Sequence, residues 1–423
     1  MSTLSSPRPS RRSMLAALGL SVSFVGAPAF AAEGELARRK MVVVICRGGM
    51  DGLTVSPPVG DPDYLGLRGP VAILSDQALK LDGTFSLHPS LTSVHALAQR
   101  GQARIAPAIA SPDRARSHFE AQDVLESGSS QVYGVGSGWL NRTLEAMKGR
   151  AEGLSVGATA PLILRGKVQA ASWSPGKGVD ETGRIPTLLQ DLYKADPMMG
   201  SAFARGLETE AMAQVAMAAT PAAMDSGAQA MKAQPAVMTT ASSMPSPAPP
   251  PTQRQGREAA RQLGSTLAGF MIQAGGPRIA AISLDGWDTH AGQVGQLNAR
   301  LTYLDAVLDG LNTGLGPEWA NTVVVVATEF GRTARVNGTG GTDHGTGSTA
   351  LVLGGGLKPG GVIGDWPTLK QAALFENRDV APTLDMRALF KGVLVDHMGV
   401  DARAVDTTVF PDSAAAKPVR GLV

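Results

Sequence analysis

The sequence has little cysteine and little net charge, two features that identify some classes of protein directly. It contains one cysteine in 423 residues, which excludes a disulfide framework and a multi-cysteine metal cluster. A formal net charge of +2 leaves no basic surface for nucleic acid. Glycine and proline number 51 and 28, but they follow no period, which excludes a collagen-like chain. The 43% of apolar residues instead indicates a globular protein with a sizeable core.

The first 31 residues have the three parts of an export signal. Arg8, Arg11 and Arg12 come before an apolar stretch at 14–30, no acidic residue is present, and Ala29-Phe30-Ala31 matches a cleavage site. The residues around Arg11 and Arg12 resemble a twin-arginine motif, which predicts a periplasmic or otherwise exported protein whose partner is the twin-arginine export machinery. The alternative is an uncleaved N-terminal anchor. We expect no stable membrane anchor, because this apolar stretch is short and no other run is long enough to span a bilayer.

Short apolar runs alternate with longer helix-like segments over residues 41–423, which we interpret as a single domain. The runs, most of them rich in β-branched residues, lie at 41–46, 103–110, 278–284, 322–328 and 349–353. Such runs are typical of strands buried on both faces. The helix-like segments lie at 91–100, 139–148, 257–273 and 293–312. The alternation predicts an α/β fold with a mostly parallel sheet and helices on both faces.

The segment at about 209–255 differs from the rest of the domain. It is rich in alanine, methionine and proline and poor in valine and isoleucine. Because proline donates no backbone hydrogen bond, this composition predicts a flexible interruption. Methionine-rich segments also bind diverse partners, so a contact with another exported protein is the alternative.

Acidic and basic residues directly follow several predicted strands. Asp51 and Glu329 lie at the ends of two of them, and Asp288 and His290 follow the one at 278–284. Residues two apart share one side of an extended segment, so Asp288 and His290 can bind one divalent metal ion. The alternative is that Asp288 caps a helix beginning near His290.

Two further clusters contain side chains of the types that act in catalysis or bind metal ions. Arg116, Ser117 and His118 follow a strand-like run, and Asp343 and His344 lie in a glycine-rich stretch before another. Because parallel strands bring their carboxyl ends to one edge of a sheet, we expect one shared polar site. Its expected members are Asp51, Ser117, His118, Asp288, His290, Glu329, Asp343 and His344.

Five motifs together resemble a known family. They are RGGMDG at 47–52, RSHFEAQ at 116–122, GWDTH at 286–290, EFGR at 329–332 and GGTDHG at 340–345. In this order they resemble domain-of-unknown-function family 1501 (DUF1501), whose members are typically exported through a twin-arginine signal. The family looks like a distant branch of the alkaline phosphatase and sulfatase superfamily. The resemblance implies an alkaline-phosphatase-like fold with one or two divalent metal ions at the strand ends, and it does not distinguish zinc, manganese, magnesium and calcium.

The resemblance also implies roles for individual residues. Asp51 matches the first metal-binding aspartate of the superfamily, Ser117 matches its hydroxyl nucleophile, and His344 matches its last histidine. Asp288 and His290 resemble its Asp/His pair.

Two departures from the superfamily pattern leave alternatives open. Glu329 and Phe330 stand where an Asp-His dipeptide is common, so a second metal ion would lack a nitrogen ligand there. Asp343 and His344 are the alternative position of that dipeptide. A carboxylate-rich site would shift the metal preference from zinc toward manganese, magnesium or calcium.

The expected function is an exported metal-dependent hydrolase of phosphate or sulfate esters. Ser117 attacks the ester, with Thr289 as the alternative hydroxyl. His118, Arg116 or Arg332 stabilises the developing charge. The expected metal ligands are Asp51, Asp288, His290, Glu329, Asp343 and His344. The alternatives are a catalytically inactive binding or assembly protein on the same scaffold, and a phosphomutase-like transferase.

Overall fold

An eight-stranded sheet forms the centre of the described part of the chain. In the computed structural model that part comprises residues 34–149, 151–157, 161–175, 197–218 and 253–423. The strands of this sheet are β1 Lys40–Cys46, β4 Ala103–Ala110, β5 Gly153–Val156, β6 Ala171–Trp173, β7 Ile279–Leu284, β8 Thr322–Ala327, β9 Ser348–Leu353 and β10 Leu384–Asp385. A separate antiparallel pair consists of β2 Leu79–Lys80 and β3 Ser86–Leu87.

The strands of the large sheet run in one direction except for β9. Their order is β10-β4-β9-β8-β1-β7-β5-β6. β1 pairs in parallel with β7 and β8, β5 with β6 and β7, and β10 with β4, whereas β9 is antiparallel to β4 and β8. The predicted mostly parallel sheet is confirmed. Because β9 is reversed, its amino end lies at the edge where the other strands have their carboxyl ends.

Helices cover both faces of the sheet, as predicted. They are α1 Gly52–Val55, α2 Tyr64–Arg68, α3 Thr92–Gln99, α4 His118–Ser127, α5 Trp139–Ala146, α6 Pro197–Ala218, α7 Gln253–Ile272, α8 Gln293–Leu315, α9 Met386–Gly392 and the short α10 Ala402–Ala404. Val42 of β1 belongs to the same buried cluster as Leu304 of α8, and the next residue, Val43, belongs to the cluster of Trp139 in α5. Successive strand residues point to opposite faces, so a strand covered on both faces must be apolar at every position. Each fully buried valine side chain contributes about 1.5–3 kcal/mol.

The segment predicted to be flexible begins inside α6 and ends inside α7. Residues 209–218 and 253–255 are helical. Gln273 Nε2, just beyond α7, donates to the Met212 carbonyl of α6 at 3.0 Å, which fixes the two helices to each other. Residues 219–252 lie outside the described residues.

The chain divides into two units, Met1–Ala37 and Arg38–Val423, and the residues at the strand ends belong to the second. The predicted export signal at 1–31 lies outside the described residues. None of the helices in the described part of the chain combines the length and the apolar character needed to cross a bilayer.

Candidate metal centre

Five chain segments meet at one edge of the sheet. The loops after β1, β4, β7 and β8 begin there because these strands end at that edge. The loop before β9 reaches the same edge because β9 runs in the opposite direction. This arrangement brings together residues more than 200 positions apart in the sequence.

The side chains of three histidines surround the carboxylate of Asp288. His290 Nε2 lies 2.9 Å and His344 Nε2 3.2 Å from Asp288 Oδ1. His118 Nε2 lies 3.5 Å from the other oxygen, Oδ2. One ligand atom from each of His118, Asp288 and His344 fits within a group whose members are at most 4.8 Å apart. These three residues have the types and the spacing of a metal-binding group, and His290 lies beside them.

Each of these histidines uses its other ring nitrogen for a hydrogen bond. His118 Nδ1 lies 2.9 Å from Glu329 Oε1, and His290 Nδ1 lies 3.1 Å from Asp343 Oδ1. His344 Nδ1 lies 2.9 Å from the backbone carbonyl of Arg116. Carboxylates and carbonyls only accept hydrogen bonds, so Nδ1 carries a proton in all three rings. By the same rule, Nε2 of each ring either carries a second proton toward Asp288 or, in the neutral ring, leaves a lone pair for a cation held between it and Asp288.

This tautomer assignment shows that the group fits a cation. His290 Nε2 and His344 Nε2 are 3.1 Å apart, so either a proton shared between the two rings or a metal ion beside both is needed at that distance. His118 Nε2 is buried and has no hydrogen-bond partner within the described ranges. Histidine ligands of a metal commonly donate their second N–H to a carboxylate or a carbonyl, as all three do here. The residues present therefore fit a divalent metal ion.

Arg332 sets the charge of Asp288. Its Nη1 donates to Asp288 Oδ1 at 2.6 Å, and the guanidinium, 1% exposed, also donates to the backbone carbonyl of Thr342 and to that of Gly48. Burial by itself would raise the pKa of Asp288, but the hydrogen bond and charge of Arg332 outweigh it and hold the pKa below its ordinary value. Asp288 is therefore an anion at neutral pH.

Glu329 is a fully buried carboxylate that holds His118. Burial acts to raise its pKa, but hydrogen bonds from His118 and from Gly48 N–H, the latter at 2.8 Å, keep the pKa below its ordinary value. Conversely, the hydrogen bond to Glu329 is the main reason that the pKa of His118 is raised. The ring of Phe330 lies against His118, with centroids 4.9 Å apart. Glu329 and Phe330 thus form the wall behind His118.

The pKa values of His344 and of Asp343, the partner of His290, are both lowered. Burial lowers the pKa of His344, which favours the neutral ring that a metal requires. A hydrogen bond from Asn337 Nδ2, at 3.1 Å, is the main reason that the pKa of Asp343 is lowered. Asp343 is therefore an ionised partner for His290.

Asp51 does not join this group. Its carboxylate caps α1 through the N–H of Leu53, pairs with the fully buried Arg68, and accepts from Gln293 Nε2 at 2.5 Å and from the hydroxyl of Thr54. These four donors occupy both oxygens. The structure places Asp51 in a neighbouring buried network rather than among the converging Nε2 atoms.

The side chains of Arg116 and Ser117, the two residues before α4, have different surroundings. Ser117 is the N-cap residue of α4, it is partly exposed, and its hydroxyl makes no capping bond. Arg116 has a left-handed backbone, with φ of 57°, and its guanidinium is bound by Asp379 at 2.9 Å and by Glu376. Its carbonyl, not its charge, therefore reaches the histidines. Thr289, the alternative hydroxyl, is buried and donates to Gln293 Oε1.

The capping role considered for Asp288 is wrong. The helix that follows is α8, which begins at Gln293 with Gly292 as its N-cap residue. Asp288 lies in the irregular segment after β7, where its carboxylate contacts the ring of His290 two residues on.

Two residues that support the group were not predicted, and a third, Arg116, contributes its backbone carbonyl rather than the expected charge. Asn337 binds Asp343, Gln293 connects Asp51 to the hydroxyls of Thr289 and Thr342, and the Arg116 carbonyl orients His344. No local pattern signals these contacts, because most of them join distant parts of the chain.

The sequence profile of DUF1501, described as a protein of unknown function, matches residues 38–409. The chain belongs to this family. The resemblance in the five motifs is thereby confirmed. No curated protein matches the sequence.

Several solved structures are similar to the chain at a low level. Ps i-CgsB in complex with k-i-k-neocarrahexaose has 9% identity and a TM-score of 0.39, over 90% of this chain and 77% of that one. Phosphonate monoester hydrolase SpPMH from Silicibacter pomeroyi has 12% identity and a TM-score of 0.37, over 90% and 76%. The C-terminal periplasmic domain of EcEptC from Escherichia coli, in complex with Zn, has 9% identity and a TM-score of 0.34, over 89% and 87%. At this level the likeness assigns no activity to this chain.

Proposed function

We propose that this protein is a metal-dependent hydrolase of phosphate or sulfate esters that acts after export. The observation that carries the proposal is the convergence of three Nε2 atoms on the Asp288 carboxylate, with each Nδ1 held by an oxygen acceptor. This is the arrangement of a metal site with its outer hydrogen-bond partners. The export part rests on the residue pattern of the first 31 residues.

The ligands of the metal are His118, His290 and His344 through Nε2, and Asp288 through its carboxylate. Glu329 and Asp343 serve as outer partners that fix the rings. Three imidazoles and one carboxylate favour zinc over magnesium or calcium, which prefer oxygen ligands. A zinc ion held there supplies a Lewis acid that polarises the ester and lowers the pKa of a bound hydroxyl.

Ser117 is the nucleophile in this proposal. Its hydroxyl is not used to cap α4, and the next residue is the ligand His118. Ser117 Oγ forms a bond to phosphorus or sulfur, the bond to the leaving alcohol oxygen breaks, the serine proton passes to solvent, and the alcohol takes a proton from water. Water then hydrolyses the serine ester and releases phosphate or sulfate. The N-terminus of the ten-residue α4 favours the negative charge of the ester.

The two arginines have different roles in this reaction. Arg332 is a positioning residue, because its guanidinium is buried against Asp288 and Thr342. Arg116 makes no contact with the ester in this proposal, because its guanidinium is taken by Asp379 and Glu376.

The first test is the metal content of the folded, exported protein. We expect about one zinc ion per chain in the wild type and a large loss in His290→Ala and His344→Ala. His95→Ala is the matched control, because His95 lies on α3 and its ring binds the Lys80 carbonyl and Gln99, away from Asp288. A wild type that takes up no divalent metal contradicts the proposal.

The second test is turnover of aryl phosphates and aryl sulfates by the loaded protein. We expect Ser117→Ala to abolish turnover and to keep the metal, because Ser117 is not a ligand. Equal turnover by the wild type and Ser117→Ala means that another nucleophile acts.

A binding or assembly protein with the same metal centre is the second candidate. The position of Asp51 favours this candidate. Because Arg68 and Gln293 already bind the Asp51 carboxylate, the group around Asp288 accounts for one metal ion rather than two. Retained zinc without turnover of any ester, together with a specific co-purifying exported protein, would support this candidate.

A further inference from the structure

A cavity of about 490 Å³ lies beside the candidate metal centre. It opens where β1, β5 and β7 end, and α4 forms one of its walls. Its size is within the range of small-molecule sites. The cavity is separate from the histidines, because the side chains that line it do not include them.

Two hydrogen bonds connect this cavity to the metal centre. Arg47 and Gln122 both line it, and Arg47 Nη1 donates to Gln122 Oε1 at 3.3 Å. Gln122 Nε2 donates in turn to Glu329 Oε1 at 3.4 Å, the oxygen that also binds His118. The cavity therefore begins one side chain away from a proposed zinc ligand.

Two polar atoms of lining residues have no hydrogen-bond partner in the described part of the chain. They are Arg47 Nε and Ser283 Oγ, and both are buried. A buried donor or hydroxyl left unsatisfied costs about 1–3 kcal/mol, so a small rotation of either side chain toward a ligand in the cavity would gain a hydrogen bond. Arg47 Nε requires an acceptor, and Ser283 Oγ takes either a donor or an acceptor.

The charges around the cavity are mixed. Arg47 pairs with Glu126, whose other oxygen accepts from the N–H of Ile163 at 3.0 Å. Arg165 adds a positive charge, and Asp123 and the exposed Asp285 add two negative ones. A cavity of this kind does not select a strong anion, and its separate donors and acceptors suit a neutral ligand with many hydroxyl groups.

Two exposed aromatic rings belong to the cavity wall. Phe119 is 82% exposed and Tyr133 is 71% exposed, and both line the cavity. Tyr133 has a left-handed backbone, with φ of 56°, and its N–H donates to Asp123 Oδ2 at 2.7 Å. Such strain outside glycine persists when the surrounding structure holds it, as at ligand sites. The rings provide flat apolar surfaces next to the polar atoms.

We propose that this cavity binds a sugar ring, which is the alcohol part of the ester that the metal centre hydrolyses. A sugar ring combines several hydroxyl groups with an apolar C–H face, and the cavity combines unsatisfied polar atoms with exposed aromatic faces. The identity of the ester rests on the proposed function. Binding of the sugar itself does not require the metal.

The test uses neutral methyl glycosides of glucose, galactose, mannose and N-acetylglucosamine with the full exported protein. Saturation-transfer NMR detects binding, and calorimetry gives the Kd. We expect at least one glycoside to bind and Phe119→Ala and Ser283→Val each to weaken it about tenfold, since an aromatic contact or a hydrogen bond is worth about 1 kcal/mol or slightly more. Ile272→Ala is the matched control, because Ile272 is exposed at the end of α7, outside the cavity, and its Kd stays unchanged.

The outcomes separate this inference from the proposed function. If no glycoside binds while the zinc-loaded protein hydrolyses phenyl phosphate, the sugar assignment is wrong and the hydrolase remains. If a glycoside binds with the expected variant pattern to a protein that takes up no metal, the sugar site remains and the hydrolase is wrong. If the glycoside binds equally well to Phe119→Ala and Ser283→Val, the ligand does not occupy this cavity, and the inference is overturned.

Discussion

Replacing Glu329 by glutamine tests whether this residue is an outer partner or a ligand of the metal. Glu329 Oε1 accepts from His118 and from Gly48 N–H, and a glutamine oxygen can keep both bonds. The new amide nitrogen would face Thr328 Oγ1, which is 3.0 Å from the present Oε2 and can accept while it donates to the Cys46 carbonyl at 2.7 Å. We therefore expect Glu329→Gln to fold.

The expected loss of metal affinity follows from what glutamine keeps and what it lacks. Outer partners of metal-binding histidines typically contribute a factor of about 10–100 in metal affinity. Glutamine keeps the direction of the His118 ring but removes the charge that makes Nε2 a stronger donor to the metal. We expect the lower end of that range, about tenfold or about 1.4 kcal/mol, at pH 8.

The loss should depend on pH in a defined direction. Glu329 raises the pKa of His118, so in the wild type the metal must displace a proton from a more basic ring at low pH. In Glu329→Gln that pKa falls, and the metal displaces the proton more easily. The tenfold difference should therefore shrink as the pH falls from 8 to 6.

Competition with a zinc chelator at pH 6, 7 and 8 measures these affinities. Glu318→Gln is the matched control, because it also removes one carboxylate, at the amino end of β8, where Glu318 binds Arg38 and Lys40. An unchanged affinity at pH 8 would falsify the outer-partner role. A loss of more than about a thousandfold in a folded protein would make Glu329 a direct ligand, since that exceeds what outer partners contribute.

Three further predictions concern other parts of the structure. Asp51→Asn leaves Arg68 buried without its counter-charge, so we expect a loss of about 3–5 kcal/mol in urea unfolding with the zinc content per folded chain unchanged; a folded but zinc-free variant would instead make Asp51 a ligand. In the metal-free protein the pKa of His118 is raised by its bond to Glu329, so this bond adds stability below the unfolded pKa of about 6.5 and loses it as the pH rises through the folded pKa. The difference in the free energy of unfolding between the wild type and His118→Gln should therefore be larger at pH 5 than at pH 8. A reversed order would contradict the assignment. Burial raises the pKa of the Cys46 thiol, so Ellman's reagent should label it only when the protein unfolds, and rapid labelling of the native protein would show that β1 is accessible.

The central strands and the long helices were predictable from local patterns. The runs at 41–46 and 322–328 correspond to β1 and β8, because a strand buried on both faces must be apolar at every position. The start of α8 at Gln293 was also predicted correctly. In contrast, β5, β6 and β10 have two to four residues each and were not predicted, because so short a segment carries no period.

The reversed direction of β9 shows a limit of local patterns. Its apolar run is as clear as that of β8, but strand direction depends on the path of the chain between the two strands. The expectation that His344 lies at the shared edge still holds, because the residues before a reversed strand meet the residues after its neighbours. The position of His344 was therefore predicted correctly although the direction of β9 was not.

The residue types available at the strand ends follow from the local sequence, and with them the expectation of one polar edge. Which of those residues share a contact was decided only by the tertiary structure. Asp51 binds Arg68, whereas Asp288 is surrounded by His118, His290 and His344. The physical reason is that a carboxylate acts through the few groups within hydrogen-bond distance of it. At this site those groups come from segments up to 281 residues away, as in the bond from Gly48 N–H to Glu329.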